Sequence, residues 1–133
     1  MHGNPHPTAK TLAAKLQAAK EALAAGRLVP VDAERHVNAD LEELDIDEST
    51  YWALIPRLIQ AALDAGPQAS YAGTRPPRKS TKHALIMNQE MWAFKATLPE
   101  FDCPLYFKFV LKSHPKTQEI FFYHVDCHPD HQD

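Results

Sequence analysis

Glycine is scarce in this chain, with four in 133 residues, and nowhere do the glycines gather into a loop that could cradle a phosphate. No paired-carboxylate motif and no nucleophile elbow is present. No apolar stretch approaches the roughly 20 residues needed to span a bilayer. The opening "MHGNPHPTAK" lacks the charged start and apolar run of a secretion signal. These absences lead to the expectation of a cytoplasmic protein. There the two cysteines, Cys103 and Cys127, would stay reduced.

What remains is an ordinary globular composition, 44% hydrophobic and 23% charged, in a chain long enough to bury a real core without staples. The net charge of −3 hides an asymmetry. Residues 71–118 carry eight basic side chains (Arg75, Arg78, Lys79, Lys82, Lys95, Lys108, Lys112, Lys116) against Glu90, Glu100 and Asp102. The rest of the chain is strongly acidic. A local positive field attracts anionic ligands, although a solvated Lys-rich surface gives the same count.

Patterning divides the chain into a lead-in at 1–7, one domain at 8–128 and a tail at 129–133. Thr8 suits the N-cap of a first helix with Leu12, Leu16, Ala19 and Leu23 on one face, and Gly26 suits its stop. "RLVPVD" reads as a connector, and Asp32 as the cap of a second helix striped by Val37, Leu41 and Leu44. A third helix buries Leu54, Ile55, Leu58, Ile59 and Leu63 and stops at Gly66, with Pro56 marking a kink or its start. Residues 66–82 break the pattern as a mobile cationic loop. From residue 84 the period becomes two. Trp92, Phe94, Ala96 and Leu98 share one face, as do Leu105, Phe107, Phe109 and Leu111. The fold class expected is α+β: N-terminal helices packed on a C-terminal antiparallel sheet of three or four strands.

Pairing Phe107 with Tyr123 puts Phe109 across from Phe121 and Tyr106 across from His124. Tyr106, Lys108 and His124 then share the face away from the helices. Such a wall suits RNA cleavage without a metal. An imidazole can move the protons of the 2′-hydroxyl and the leaving oxygen, lysine can neutralise the phosphorane, and tyrosine can stack on a base or donate to phosphate. An ordinary cross-strand pair is the other reading of Tyr106 and His124.

The chain also resembles the MqsR family of toxin–antitoxin toxins over about residues 12–128. "ALAAGRLVPVDAERHVNADLEELDID" is similar to the family's opening helices. "MWAFKATLPEFDCPLYFKFVL" places a Trp fourteen residues before the Tyr of a Y-x-K strand, and "FFYHVD" falls where the family ends in an aromatic followed by His or Lys. The resemblance implies a RelE-like fold and an endoribonuclease that cleaves mRNA and is neutralised by a cognate antitoxin. It assigns the catalytic tyrosine to Tyr106, the terminal basic residue to His124, and a Lys-Ser pair to Lys79 and Ser80. RNA contacts would come from Arg75, Arg78, Lys82, Lys95 and Lys108, with no cofactor or metal. Ala93 stands where the family has a glutamine, and the loop at 66–80 is longer than the family's. A non-catalytic RNA- or protein-binding module is therefore the alternative. A third reading is a small domain held by metal at Cys103, His124, Cys127, His128 and His131, although no zinc motif of standard spacing is present.

Overall fold

The computed structural model describes residues 7–130, so the expectations for residues 1–6 and 131–133, including His131, lie outside it. Helix α1 (Ala9–Ala24) starts as the sequence implies, with the Thr8 hydroxyl accepting from the Thr11 amide at 3.1 Å. It ends in a Schellman turn. Gly26 has φ +76°, and the Arg27 amide reaches back to the Ala22 carbonyl at 2.9 Å. Leu12, Leu16, Ala19 and Ala22 are buried along one stripe.

Asp32 caps the next segment, which opens as a π-helical turn (Ala33–Val37) and continues as α2 (Asn38–Leu44). Helix α3 (Glu48–Ala65) is capped by Asp47, whose carboxylate accepts from the Thr50 amide at 2.8 Å. Pro56 neither starts nor ends it, and lies exposed inside the helix. A single turn, α4 (Pro67–Ser70), follows Gly66. No described helix is long and apolar enough to cross a membrane.

The sheet has four strands in the order β1-β4-β3-β2: β1 (Leu28–Pro30), β2 (Trp92–Ala96), β3 (Leu105–Ser113) and β4 (Ile120–Pro129). Strands β2, β3 and β4 form the expected antiparallel meander, but the sheet is mixed because β1 runs parallel to β4. The stretch "RLVPVD" is thus an edge strand, not a connector. The Phe122 amide donates to the Arg27 carbonyl at 2.8 Å, and the Val31 amide to the His124 carbonyl at 2.9 Å. Three residues, one of them a proline, give no strand signal, yet an edge position tolerates a residue without an amide proton.

The helices cover one face of the sheet. There Phe94, Phe107, Phe109 and Phe122 form a continuous row of stacked rings across three strands, with 4.9 Å between the centroids of Phe109 and Phe122. Leu54, Ile55, Leu58 and Ile59 of α3 belong to the same core. A smaller cluster sits on the far face, where Ile86 plugs against Val110, Tyr123 and Val125. The ammonium of Lys112 holds that plug by donating to the Leu85 carbonyl at 2.7 Å.

The register of β3 and β4 differs from the expected one. Phe107 pairs with Cys127, Tyr106 with His128, Phe109 with His124 and Lys112 with Phe121. Two features make the change: the hairpin connection closes later than expected, with Ser113 paired to Ile120, and a β-bulge interrupts the pairing. Lys108 pairs with Asp126 while Phe109 already pairs with His124, so Val125 is an extra residue in β4. One inserted residue turns every side chain on its far side to the opposite face. His124 therefore belongs to the helix face and Tyr123 to the far face, the reverse of the sequence expectation.

Candidate functional site

The far face is covered by Ile86 at one end and open at the other. The open end begins at β3, where alternation places Tyr106 and Lys108 side by side. Residues 71–91 wrap around it. Backbone bonds join this segment to the sheet and to itself. The Ala72 amide donates to the Ala93 carbonyl at 2.8 Å, the Met91 amide to the Arg78 carbonyl at 2.9 Å, and the Ser80 amide to the Gln89 carbonyl at 2.9 Å. Isolated bridges join Tyr71 to Phe94 and Lys79 to Glu90. At Gly73 an added Cβ would sit 2.7 Å from the Tyr71 hydroxyl, so a side chain there would have to push the Tyr71 ring aside.

Two connected lobes result. Ala72, Gly73, Thr74, Arg78, Met91, Ala93, Tyr106 and Lys108 line the first, of about 110 Å³. The second, of about 250 Å³, shares Arg78, Met91 and Lys108 and extends to Lys79, Ser80, Lys82, His83, His36 and Asp126. Lys108 and Asp126 form an ion pair at 3.9 Å where the lobes meet. None of the ion pairs found among the described residues engages Arg78, Lys79 or Lys82. The cleft is therefore cationic on balance, and its walls are fixed by backbone bonds.

Tyr106 is half-buried, and its ring stacks on His128 with centroids 5.1 Å apart and planes 21° from parallel. Burial pushes the phenol up to about 12, the nearby Asp126 carboxylate adds to the shift, and the Arg78 guanidinium opposes it. Tyr106 thus keeps its proton at neutral pH and acts as a donor. His128 has its Nδ1 3.0 Å from the Pro129 carbonyl. A carbonyl can only accept, so Nδ1 carries a proton, which leaves Nε2 as the acceptor of the neutral ring.

Other residues expected at the site lie elsewhere. His124 is 1% exposed and sits on the helix side, so it is not part of the wall with Tyr106 and Lys108. The bulge at Val125 is the reason. Arg75 lies over the Tyr71 ring, 4.8 Å from its centroid, and lines neither lobe. Lys95 shares the face of Tyr106, but its ammonium is held 3.4 Å from Asp130 beyond the cleft. Arg78, Lys79, Lys82, Lys108 and Tyr106 do come together. Sequence reasoning placed His128 only in a possible metal cluster and missed Asp126, His36 and His83. The run "HVDCH" held two of them, but nothing in it marks a bulge.

His124 has a different setting. Its Nε2 is 2.6 Å from the Tyr51 hydroxyl, which in turn is 2.8 Å from Oδ2 of Asp40. The same carboxylate oxygen accepts from the Cys127 amide at 2.9 Å. Tyr51 has one proton and gives it to Asp40, so His124 must donate through Nε2 as the neutral tautomer. Burial, with the charge of His36 adding to it, pushes this imidazole down to about 3. Burial also raises Asp40, against the bonds from Cys127 and Tyr51 that favour its charged form. The Cys127 thiol is raised by burial too, which makes it inert. This chain of polar groups ties α2 and α3 to β4 just beyond the bulge.

Cys103 and Cys127 are free thiols, and Phe107, not Cys103, stands opposite Cys127. Among the described residues no three His, Cys, Asp or Glu side chains are placed to hold a metal. The fold and site together define an α+β chain with a built cationic cleft on the open face of its sheet. No family model, no curated protein and no solved structure matches the chain.

Proposed function

We propose that the chain is a metal-independent endoribonuclease, the mRNA-cleaving toxin of a type II toxin–antitoxin pair in the cytoplasm, on a RelE-like fold. A small cognate antitoxin would hold it inactive. One observation carries this reading: Tyr106, Lys108, Arg78 and Lys79 converge on one cleft, with an imidazole stacked on the tyrosine. The catalytic imidazole in this reading is His128 in place of His124. Its free Nε2 takes the proton of a 2′-hydroxyl, Lys108 and Arg78 neutralise the charge that grows on the phosphorane, and Tyr106 donates to a phosphoryl oxygen. Attack by the 2′-oxygen on phosphorus expels the 5′-oxygen, which takes a proton from water, and leaves a 2′,3′-cyclic phosphate.

A second reading, a non-catalytic RNA-binding module, is favoured by Ala93. It floors the first lobe with a methyl group where a polar side chain would assist catalysis. Incubating the purified protein with mRNA in excess EDTA and mapping the ends separates the two. Endoribonuclease action gives 2′,3′-cyclic or 3′-phosphate ends, and induction of the chain alone in bacteria arrests growth. Tight RNA binding with no new ends supports the module. Cleavage restored only by added divalent metal refutes the mechanism.

A further inference from the structure

The second lobe has a chemistry that the cleavage step does not use. Its rim is cationic, through Arg78, Lys79 and Lys82, but its depth is not. Met91 and Val125 give it an apolar floor, and the rings of His36 and His83 meet edge to face with centroids 5.6 Å apart. Two polar atoms lie buried there without a hydrogen-bond partner among the described residues, Oδ1 of Asp126 and Nε2 of His36. Buried polar atoms of folded proteins are nearly always paired, so an orphan pair in one cleft calls for a ligand.

The orphans narrow the class of that ligand. A phosphate satisfies neither the carboxylate oxygen nor the apolar floor, and it already has the lysines and Arg78 of the rim. A metal ion does not fit, since no three ligating side chains converge among the described residues. A flat heterocycle with N–H donors and ring acceptors at its edge fits all three features. It packs its faces on Met91, Val125 and imidazole, donates to Asp126 and meets His36 with whichever group the tautomer needs.

We infer that the second lobe is a nucleobase subsite. It would seat one base beside the phosphodiester held at Lys108 and Tyr106, with the backbone running along Arg78, Lys79 and Lys82. This rests on the RNA reading of the face and adds to it a pocket that reads sequence, where the rim lysines only position the strand. The ion pair to Lys108 aims Asp126 into the lobe, which makes it a specificity residue.

The test measures binding, so that it does not depend on cleavage. The full chain is titrated calorimetrically at low salt with each of the four nucleoside 5′-monophosphates and with ribose 5-phosphate. At least one nucleotide should bind ten-fold or more tightly than ribose 5-phosphate. Asp126→Asn should erase or reorder the preference among bases by a similar factor, while Arg78→Ala weakens every ligand alike. Thr81→Trp, at an exposed position lining the lobe, should block nucleotides and spare ribose 5-phosphate, and it guards against a misfolded Asp126 variant. Equal binding of ribose 5-phosphate and all nucleotides would overturn the subsite and leave phosphate-driven RNA binding standing. So would a base preference unchanged in both lobe variants. Absence of binding by every small ligand overturns the subsite as well, while RNA binding is scored separately on an oligomer.

Discussion

His124 and His128 sit four residues apart on strand β4, and the fold puts them to opposite uses. The first is sealed against α3, gives its proton to a tyrosine and is pushed far below the usual imidazole range. The second lies on the open face, stacked on Tyr106, with one ring nitrogen free. A strand without a bulge would place both on one face, since residues an even number apart share it. The extra residue Val125 separates them. A single inserted residue can thus decide which of two chemically identical groups becomes structure and which becomes site.

The helix face should be the costly one to disturb. Phe107→Ala, in the middle of the stacked aromatic row, should lose about 3–5 kcal/mol in a denaturant melt. A smaller loss would mean that the row collapses around the gap. Tyr51→Phe keeps the ring and removes only the hydroxyl between Asp40 and His124. It should cost about 1–3 kcal/mol, the range for buried groups left without partners. A neutral result would show that the polar chain contributes nothing to holding β4.

The same chain predicts a pH dependence. The folded pKa of His124 lies below its unfolded value near 6.5, so below that pH the unfolded state binds the extra proton. Stability from this group is complete above the unfolded value and falls as pH drops toward about 3. The slope is at most about 1.4 kcal/mol per pH unit for one proton. Asp40, raised by burial, works in the opposite sense, losing its contribution as pH rises through its folded value. Between pH about 6 and 4.5 the two act in opposite senses, and replacing His124 isolates its share. Melts of the wild type over that window should show a steeper decline than those of His124→Gln. Parallel slopes would mean that His124 is not neutral in the folded protein.

The far face should respond in binding and hardly at all in stability. Replacing Arg78, Lys79 and Lys82 together by alanine should leave the melt within about 0.5 kcal/mol of wild type, as for exposed surface changes. The same variant should lower the salt slope of single-stranded RNA binding by about 2, near 0.7 for each lost phosphate contact. An unchanged slope would make residues 71–91 a structural wrap only.

Much of this molecule was legible in its residues, and the limits have physical causes. The caps at Thr8 and Asp32 and the stops at Gly26 and Gly66 follow from local chemistry that no neighbour overrides. The inward stripes of β2 and β3 follow from strict alternation. Strand β1 was hidden because three residues with a proline carry no period, and its partner lies more than 90 residues away. The pairing of Tyr106 could not be read because it depends on where the turn between β3 and β4 closes, at Ser113 and Ile120, and on a bulge at Val125 that needs no glycine or proline to mark it. Asp40 was lost in an acidic run whose other members are exposed, and only the arrival of Tyr51 and the Cys127 amide distinguishes it. The basic run at 75–82 was visible as charge, but its placement comes from backbone bonds to residues 88–91 that composition does not encode.

The two histidines offer the most direct measurement. RNA cleavage in EDTA is followed for His124→Gln and His128→Gln, each below its own melting temperature. If the far face is the reaction site, His128→Gln abolishes cleavage without lowering the melt, and His124→Gln lowers the melt while the folded fraction still cleaves. The opposite result, activity surviving in His128→Gln and lost from folded His124→Gln, would place the chemistry on the helix side of the sheet and contradict the site described above.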